Sequence, residues 1–144
     1  MNAEVAAALI GGGAGALMGA LFGAIATNVV NKLSEGRGDR KALIQSFRLG
    51  VNAMRVDAAM YWDSSGRNEQ SESEIKRHFH RVLALIDDLR ISSTSIDIDK
   101  ANQLNDEFWE VATGDGFESV NRLADPARVG RLATIAYQLS SVFK

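Results

Sequence analysis

The sequence predicts an all-α protein: a single N-terminal transmembrane helix followed by a cytoplasmic helical bundle of about four main helices. Three observations predict it. An apolar run without a charged residue extends from Val5 to Val30. After this run, apolar residues recur at helical spacing, and no segment alternates as a strand would. The single proline, Pro126, directly follows Asp125, and this pair is typical of a helix start.

The apolar run is long enough to cross a bilayer. As a helix it would rise roughly 39 Å, whereas a hydrocarbon core is about 30 Å thick. Within it, Gly11, Gly15, Gly19 and Gly23 recur at four-residue spacing and form one slanting groove. A neighbouring lane of small residues consists of Gly12, Ala16, Ala20 and Ala24. Two lanes predict two neighbours for each helix, and therefore a homo-oligomeric ring of more than two subunits.

Over residues 7–27 this spacing resembles the glycine zippers of channel-forming and pore-forming membrane proteins. The resemblance implies spans that pack around a narrow pore, with Thr27, Asn28 and Asn31 at a polar cytoplasmic mouth. The predicted oligomerisation and pore residues are Gly11, Gly15, Gly19, Gly23, Ala16, Ala20, Thr27, Asn28 and Asn31. Three other interpretations compete: a signal peptide cleaved near Ala26, a buried hairpin of a soluble protein, and a plain membrane anchor in which the glycines are merely tolerated.

The charges around the run predict its orientation and the domain organisation. No Lys or Arg precedes the run, whereas Lys32, Arg37, Arg40 and Lys41 follow it. The positive-inside rule then places the N-terminus outside and the rest in the cytoplasm, at a bacterial inner membrane or its equivalent. We therefore expect a transmembrane helix over 1–33 in contact with membrane lipid, a flexible joint over 34–38 and a soluble α-helical domain over 39–144.

Apolar periodicity predicts four helices in that domain, over 39–63, 71–91, 97–112 and from 126 onward, with a turn over 117–124 before the last. The residues predicted to face the core are Leu43, Phe47, Val51, Met54, Ala58 and Tyr61 in the first helix, Ile75, Phe79, Val82, Ile86 and Leu89 in the second, Ala101, Leu104, Phe108 and Val111 in the third, and Val129, Leu132, Ile135, Ala136, Leu139 and Val142 in the last.

Polar residues indicate where these helices begin. Asp39 can cap the first helix. Ser71 and Glu74 have the spacing of a capping box, which predicts the start of the second. Asp125 is the expected cap of the last helix, with Pro126 at its first position.

The residue pattern provides little for catalysis or metal binding. His78 and His80 are two residues apart on a helix, about 200° around its axis, so one metal ion cannot easily bind both. We expect both side chains to be solvated or half-buried. The chain has no cysteine, and it lacks a nucleophile elbow and a phosphate-binding loop after a strand. We therefore expect no enzymatic activity, no cofactor and no bound metal.

Basic residues give the remaining clue. Lys41, Arg48 and Arg55 recur at seven-residue steps along one face of the first helix, and Arg77 and Arg81 follow in the second. Together they could bind an anion such as a nucleotide or an oligonucleotide. Two other interpretations remain open: ion pairs between these helices and an acidic third helix, within or between subunits, and contact of the membrane-proximal cations with lipid phosphates.

Two function classes follow from these observations. The first is a membrane effector, whose spans form a gated pore or a lesion controlled by the cytoplasmic bundle. In architecture it resembles small membrane effectors of bacterial antiviral defence, as well as toxins and holin-like lysis proteins, and the first of these resemblances implies a nucleotide or nucleic-acid signal. The second class is an oligomeric membrane anchor that docks a regulatory or other protein partner. Trp62 and Trp109, if exposed, would be its candidate contact residues.

Overall fold

The computed structural model describes residues 39–144. The predicted membrane helix, its lanes of small residues and the joint lie outside this range. Leu43–Lys144 forms one compact unit. Every regular element within the described range is an α-helix, which confirms the predicted helical bundle. Over the same range, no helix combines the length and the apolar character that crossing a membrane requires.

The four helices are α1 (Asp39–Asp63), α2 (Glu69–Leu89), α3 (Ser95–Ala112) and α4 (Pro126–Ser140). Their number and order agree with the prediction, and α1 ends at Asp63 as predicted. The segment between α3 and α4 consists of turns, as expected.

The start of α2 differs from the prediction. Asn68 is its N-cap, and its side-chain oxygen accepts a hydrogen bond from the backbone N–H of Ser71 at 3.0 Å. The helix therefore begins at Glu69, and the prediction of a capping box on Ser71 and Glu74 is wrong. The physical reason is that Asn68 already satisfies one of the unpaired N–H groups of the first turn.

The other caps follow the same chemistry. Thr94 caps α3 by accepting from the N–H of Asp97 at 3.1 Å, so this helix also begins earlier than predicted. Asp125 caps α4 by accepting from the N–H of Arg128 at 2.9 Å, with Pro126 in the first turn, as the sequence predicts.

The core draws on all four helices. Nearly all the residues predicted to face inward are buried, and the exceptions are Phe79, Val129 and Val142, which are half-buried. The third helix packs against both α2 and α4. The first helix approaches α2 at Gly50, where an added Cβ would lie 3.5 Å from the side chain of Val82.

Aromatic side chains at the end of α1 hold the segment that joins α3 to α4. The indole Nε1 of Trp62 donates to the carbonyl oxygen of Ala112 at 2.9 Å, and the Trp62 carbonyl accepts from the N–H of Asp125 at 2.7 Å. The Tyr61 hydroxyl accepts a hydrogen bond from the N–H of Glu118 at 2.9 Å. Glu118 has a positive φ of 62°. Trp62 therefore contacts the segment at both of its ends, and Tyr61 contacts its middle.

Two buried charged side chains complete this end of the domain. The Tyr61 hydroxyl donates to the carboxylate of Glu72 at 3.0 Å, and burial is the main cause that raises the pKa of Tyr61. The guanidinium of Arg122, a residue only 4% exposed, lies 3.8 Å from the centre of the Tyr61 ring. It also donates to the carbonyl oxygens of Ser64 and Gly66. Arg122 thereby fastens the α1–α2 turn to the segment before α4.

Candidate functional site

An open groove of about 590 Å³ lies between α1 and α4. Arg48, Asn52 and Arg55 line it from α1, where spacings of four and three residues place them on one face. The wall contributed by α4 includes Ala133 and Ala136. Because these two side chains are small, they leave room between the helices for a bound molecule.

Arg48 lines the groove and also holds the end of the chain. Its Nε donates to the carbonyl oxygen of Ser140 at 3.2 Å, and its Nη2 donates to that of Phe143 at 2.9 Å. Carbonyl groups at a helix C-terminus carry the negative end of the helix dipole and therefore favour a nearby cation. Phe143, whose burial was not predicted, packs edge-on against Phe47 with ring centroids 5.0 Å apart.

Arg55 has a local partner. Its Nε and Nη2 donate to the side-chain oxygen of Asn52 at 3.3 and 3.0 Å. The partners of Arg48 and Arg55 within residues 39–144 are therefore uncharged oxygens, so neither positive charge is neutralised there by a carboxylate. Seven residues of helix separate the two side chains by about 10 Å along the axis. The remaining N–H groups of both guanidinium groups are suited to phosphate oxygens.

Tyr137 lines the same groove from α4 and is 74% exposed. An exposed aromatic ring beside cationic side chains is a common platform for stacking a nucleobase. Tyr137 was not predicted as a site residue, because the spacing of charged residues along the helices does not include it. Its position does indicate exposure: Tyr137 directly follows the inward-facing Ala136 and lies outside the apolar periodicity of the last helix.

The structure does not bring the other predicted anion-binding residues to this groove. Lys41 is exposed on α1 but is not among the lining residues. Arg77 donates through its Nε to the carboxylate of Glu74 at 2.7 Å, so its charge has a partner. Arg81 is half-buried, and burial together with the nearby charge of Arg77 lowers its pKa. Of the five predicted residues, the groove unites Arg48 and Arg55.

The acidic residues of α3 do not pair with the basic helices within the part of the chain that the structure describes. Asp106, Glu107 and Glu110 are exposed, and none of them takes part in an ion pair there. The ion pairs of this range join other residues, such as Arg67 with Glu72. Pairing between α3 and the basic helices within one chain is therefore not observed over residues 39–144.

A second group of polar side chains lies between α1 and α2. His78 is buried, so the expectation that it is solvated or half-buried is wrong, whereas His80 is exposed. The Nε2 atom of His78 lies 3.1 Å from a carboxylate oxygen of Asp57 and 3.8 Å from one of Glu74. One ligand atom from each of these three residues lies within 4.8 Å of the others, so the group could hold a metal ion. This group was not predicted, because Asp57 lies 21 residues before His78 in the sequence and on another helix.

The chain matches no protein-family model, no curated protein and no solved structure. Its function is therefore inferred from its own residues: the pattern of the N-terminal run and the charge and shape of the groove between α1 and α4.

Proposed function

We propose that the protein is an oligomeric single-pass membrane protein whose N-terminal run forms a gated pore or a membrane-disrupting assembly. The cytoplasmic helical domain controls this assembly by binding an anionic ligand of the nucleotide class in the groove between α1 and α4. One observation supports the ligand above all: Arg48 and Arg55 line a single groove, and uncharged oxygens are their partners. The uncharged run with its two lanes of small residues supports the pore.

The groove fits a ligand with more than one phosphate and a base. Its volume of about 590 Å³ lies in the usual range for small-molecule sites. Two arginines whose positions on α1 are about 10 Å apart along the axis can bind separate phosphates, since each guanidinium is planar and offers paired N–H donors. Tyr137 supplies an exposed ring for stacking. Each of these features also suits a short oligonucleotide.

Arg48 offers a way for the ligand to alter the domain. Its guanidinium holds the carbonyl groups of Ser140 and Phe143, and a bound phosphate would compete for the same donors. A ligand that binds better when those contacts are broken shifts the population toward the state without them. The helix that carries Arg48 is the first one that the structure describes, so this change would act on the described element nearest the run along the chain.

The pore is tested by membrane permeability in cells that express the full chain. We expect dye entry and depolarisation, and we expect both to disappear in the double variant Gly15→Leu, Gly19→Leu because the small-residue groove is filled. The matched control is Leu21→Ile, which keeps the hydrophobicity of the run and leaves the glycines intact. If cells that express the wild-type chain are no more permeable than cells that do not express it, with or without nucleotide, the proposed pore is wrong.

The ligand is tested separately with the purified full chain in detergent. The probes are a fluorescent analogue of a nucleoside triphosphate and a fluorescein-labelled short oligonucleotide. We expect Arg55→Glu to weaken binding by at least tenfold, and Tyr137→Ala to weaken it several-fold. Arg55 is the sharper test because its side chain bonds only within α1, whereas Arg48 also holds α4. Arg90→Glu, the same charge change on an exposed residue outside the groove, should leave binding unchanged.

An oligomeric anchor that docks a protein partner is the outcome favoured if permeability never changes. The exposed apolar side chains Met60, Ile91 and Ile96 support that possibility. The tryptophans do not, since Trp62 is buried and Trp109 is half-buried with its ring centroid 4.4 Å from that of Phe79. The nucleotide ligand is tested independently of the pore. If the wild-type chain binds neither probe, or if Arg55→Glu leaves probe binding unchanged, the proposed ligand is wrong.

A further inference from the structure

We infer that Asp57, Glu74 and His78 form a binding site for a divalent transition-metal ion, with Zn²⁺ as the best fit. The site lies outside the groove between α1 and α4, and it is independent of the proposed function. It rests on three observations: the spacing of the ligand atoms, the burial of the imidazole, and the mixture of nitrogen and oxygen donors.

The backbone brings these residues together for a simple reason. Glu74 and His78 are four residues apart in α2, so their side chains lie on the same face, one turn apart. Asp57 reaches them from α1, the neighbouring helix. A bound ion would therefore join two helices through three side chains that are already in place.

The distances suit a metal ion. With metal–ligand bonds of about 2.0–2.2 Å, neighbouring ligand atoms in a tetrahedral site lie about 3.3–3.6 Å apart. The Nε2 atom of His78 is 3.1 Å from the Asp57 oxygen and 3.8 Å from the Glu74 oxygen, and these values bracket that range. The carboxylate oxygens of Asp57 and Glu74 lie within 4.8 Å of each other, so a side-chain rotation would bring all three atoms around one ion.

Burial and charge support the same assignment. The side chain of His78 is 7% exposed and directs Nε2 at the two carboxylates, whose side chains are 28% and 35% exposed. The site is therefore enclosed on the histidine side and accessible on the other, which leaves a position for water as fourth ligand. Two carboxylates that are close together repel each other, and a dication removes that repulsion.

Arg77 acts on the site from outside the ligand set. Its Nε donates to the same Glu74 oxygen that faces His78, at 2.7 Å. Carboxylate ligands in metal sites are commonly fixed by such an outer hydrogen bond, which orients the ligand. Arg77 is thus a positioning residue in this site.

The donor set selects the kind of metal. An imidazole nitrogen with two carboxylates is a set that Zn²⁺ accepts, with three protein ligands and one open position. Ca²⁺ and Mg²⁺ prefer a shell made of oxygen ligands alone, with six or more of them. We therefore expect Zn²⁺ to bind much more tightly than Mg²⁺.

The test uses the untagged full chain in detergent, first freed of metal with a chelator and then titrated with ZnCl₂ by calorimetry. We expect one Zn²⁺ per chain, and we expect Asp57→Asn, Glu74→Gln and His78→Gln each to weaken binding by at least tenfold. His80→Gln is the matched control, because this histidine is exposed on the same helix and should not affect affinity. Substitution with Co²⁺ should give the visible absorption of a tetrahedral site, and the same three variants should lose it.

Several results overturn the inference. It fails if the wild-type chain takes up no stoichiometric Zn²⁺, if Mg²⁺ binds equally well, or if affinity falls in His80→Gln and survives in His78→Gln. Circular dichroism confirms that each variant keeps its helices. Should His78→Gln fail to fold, Asp57→Asn decides the question, because an amide keeps the size of the side chain and its hydrogen bonding while its oxygen is a far weaker ligand.

Discussion

Replacing Arg122 with alanine should destabilise the helical domain strongly, although Arg122 lies in no helix. Its guanidinium is buried against the rings of Tyr61 and Trp62, at 3.8 and 5.2 Å from their centres. It also donates to the carbonyl oxygens of Ser64 and Gly66. The substitution removes all four contacts at once and opens the place where the α1–α2 turn meets the segment before α4.

The size of the effect follows from these contacts. A hydrogen bond from a charged donor contributes about 1.5–3 kcal/mol, and a partly desolvated cation–ring contact about 1–2 kcal/mol. Removing a buried charge also relieves a desolvation cost of several kcal/mol, and this partly offsets the stabilising contributions that are lost. We expect a net loss of about 3 kcal/mol, which for a domain of this size lowers the melting temperature by roughly 10–15 °C.

The assay is thermal unfolding of the full chain in detergent, followed by tryptophan fluorescence. The sequence has two tryptophans, Trp62 in α1 and Trp109 in α3, so the signal reports the helical domain alone. Arg122→Lys keeps the charge but loses the planar fork, and we expect about half of the effect. The control is Arg90→Ala, since the side chain of Arg90 is exposed and its partner within residues 39–144 is the nearby Asp87. A melting temperature for Arg122→Ala within about 2 °C of the wild type refutes this account.

Two further predictions concern single contacts. Gly130→Ala should raise the free energy of unfolding by about 1 kcal/mol, because an alanine Cβ meets nothing within 4 Å in α4 and alanine is the better helix former; a lower melting temperature contradicts this. The ion pair with Lys76 lowers the pKa of the Glu118 carboxyl. A carboxyl pKa that is depressed in the folded state gives stability that is present above its ordinary value and lost as the pH falls through the folded value. In Lys76→Gln the pKa of Glu118 should therefore rise, as measured by an NMR titration of its carboxyl carbon, and an unchanged value contradicts the assignment.

The helices could be predicted because their apolar spacing is strong and local. The end of α1 at Asp63 and the cap on Asp125 agree with the prediction. The start of α2 could not be predicted as well, because Asn68 and Ser71 are both good cap residues. Asn68 accepts from the N–H of Ser71, whereas a helix starting at Ser71 would use the N–H of Glu74. Two plausible caps three residues apart leave a helix start ambiguous.

The burial of His78 follows from its position in the apolar spacing of α2. His78 lies three residues after Ile75 and four before Val82, both of which were predicted to face the core. A polar residue at such a position is on the buried face, so it needs a polar partner there. Asp57 and Glu74 are the polar partners of His78. Glu74 lies on the same helix, whereas Asp57 is brought near by the packing of α1 against α2.

The groove could be predicted only in part. Seven-residue spacing correctly places Arg48 and Arg55 on one face of a helix, but it does not say which element lies opposite. The partner of Arg48 at Ser140 is 92 residues away in the sequence. Contacts over such separations depend on how the helices pack, which apolar spacing does not determine.

The segment between α3 and α4 is attached to the bundle in an unusual way. Val120 and Leu123 are exposed, and Trp62 is instead covered by two arginines, Arg122 of the segment at 5.2 Å from the ring centre and Arg128 of α4 at 3.9 Å. The guanidinium ion of the denaturant guanidinium chloride has the same chemical structure as the charged group of arginine. It can therefore bind to the same aromatic rings and carbonyl oxygens in place of the arginine side chains. Guanidinium chloride should therefore displace this segment before the helices melt, whereas urea, which carries no charge, should unfold segment and helices together.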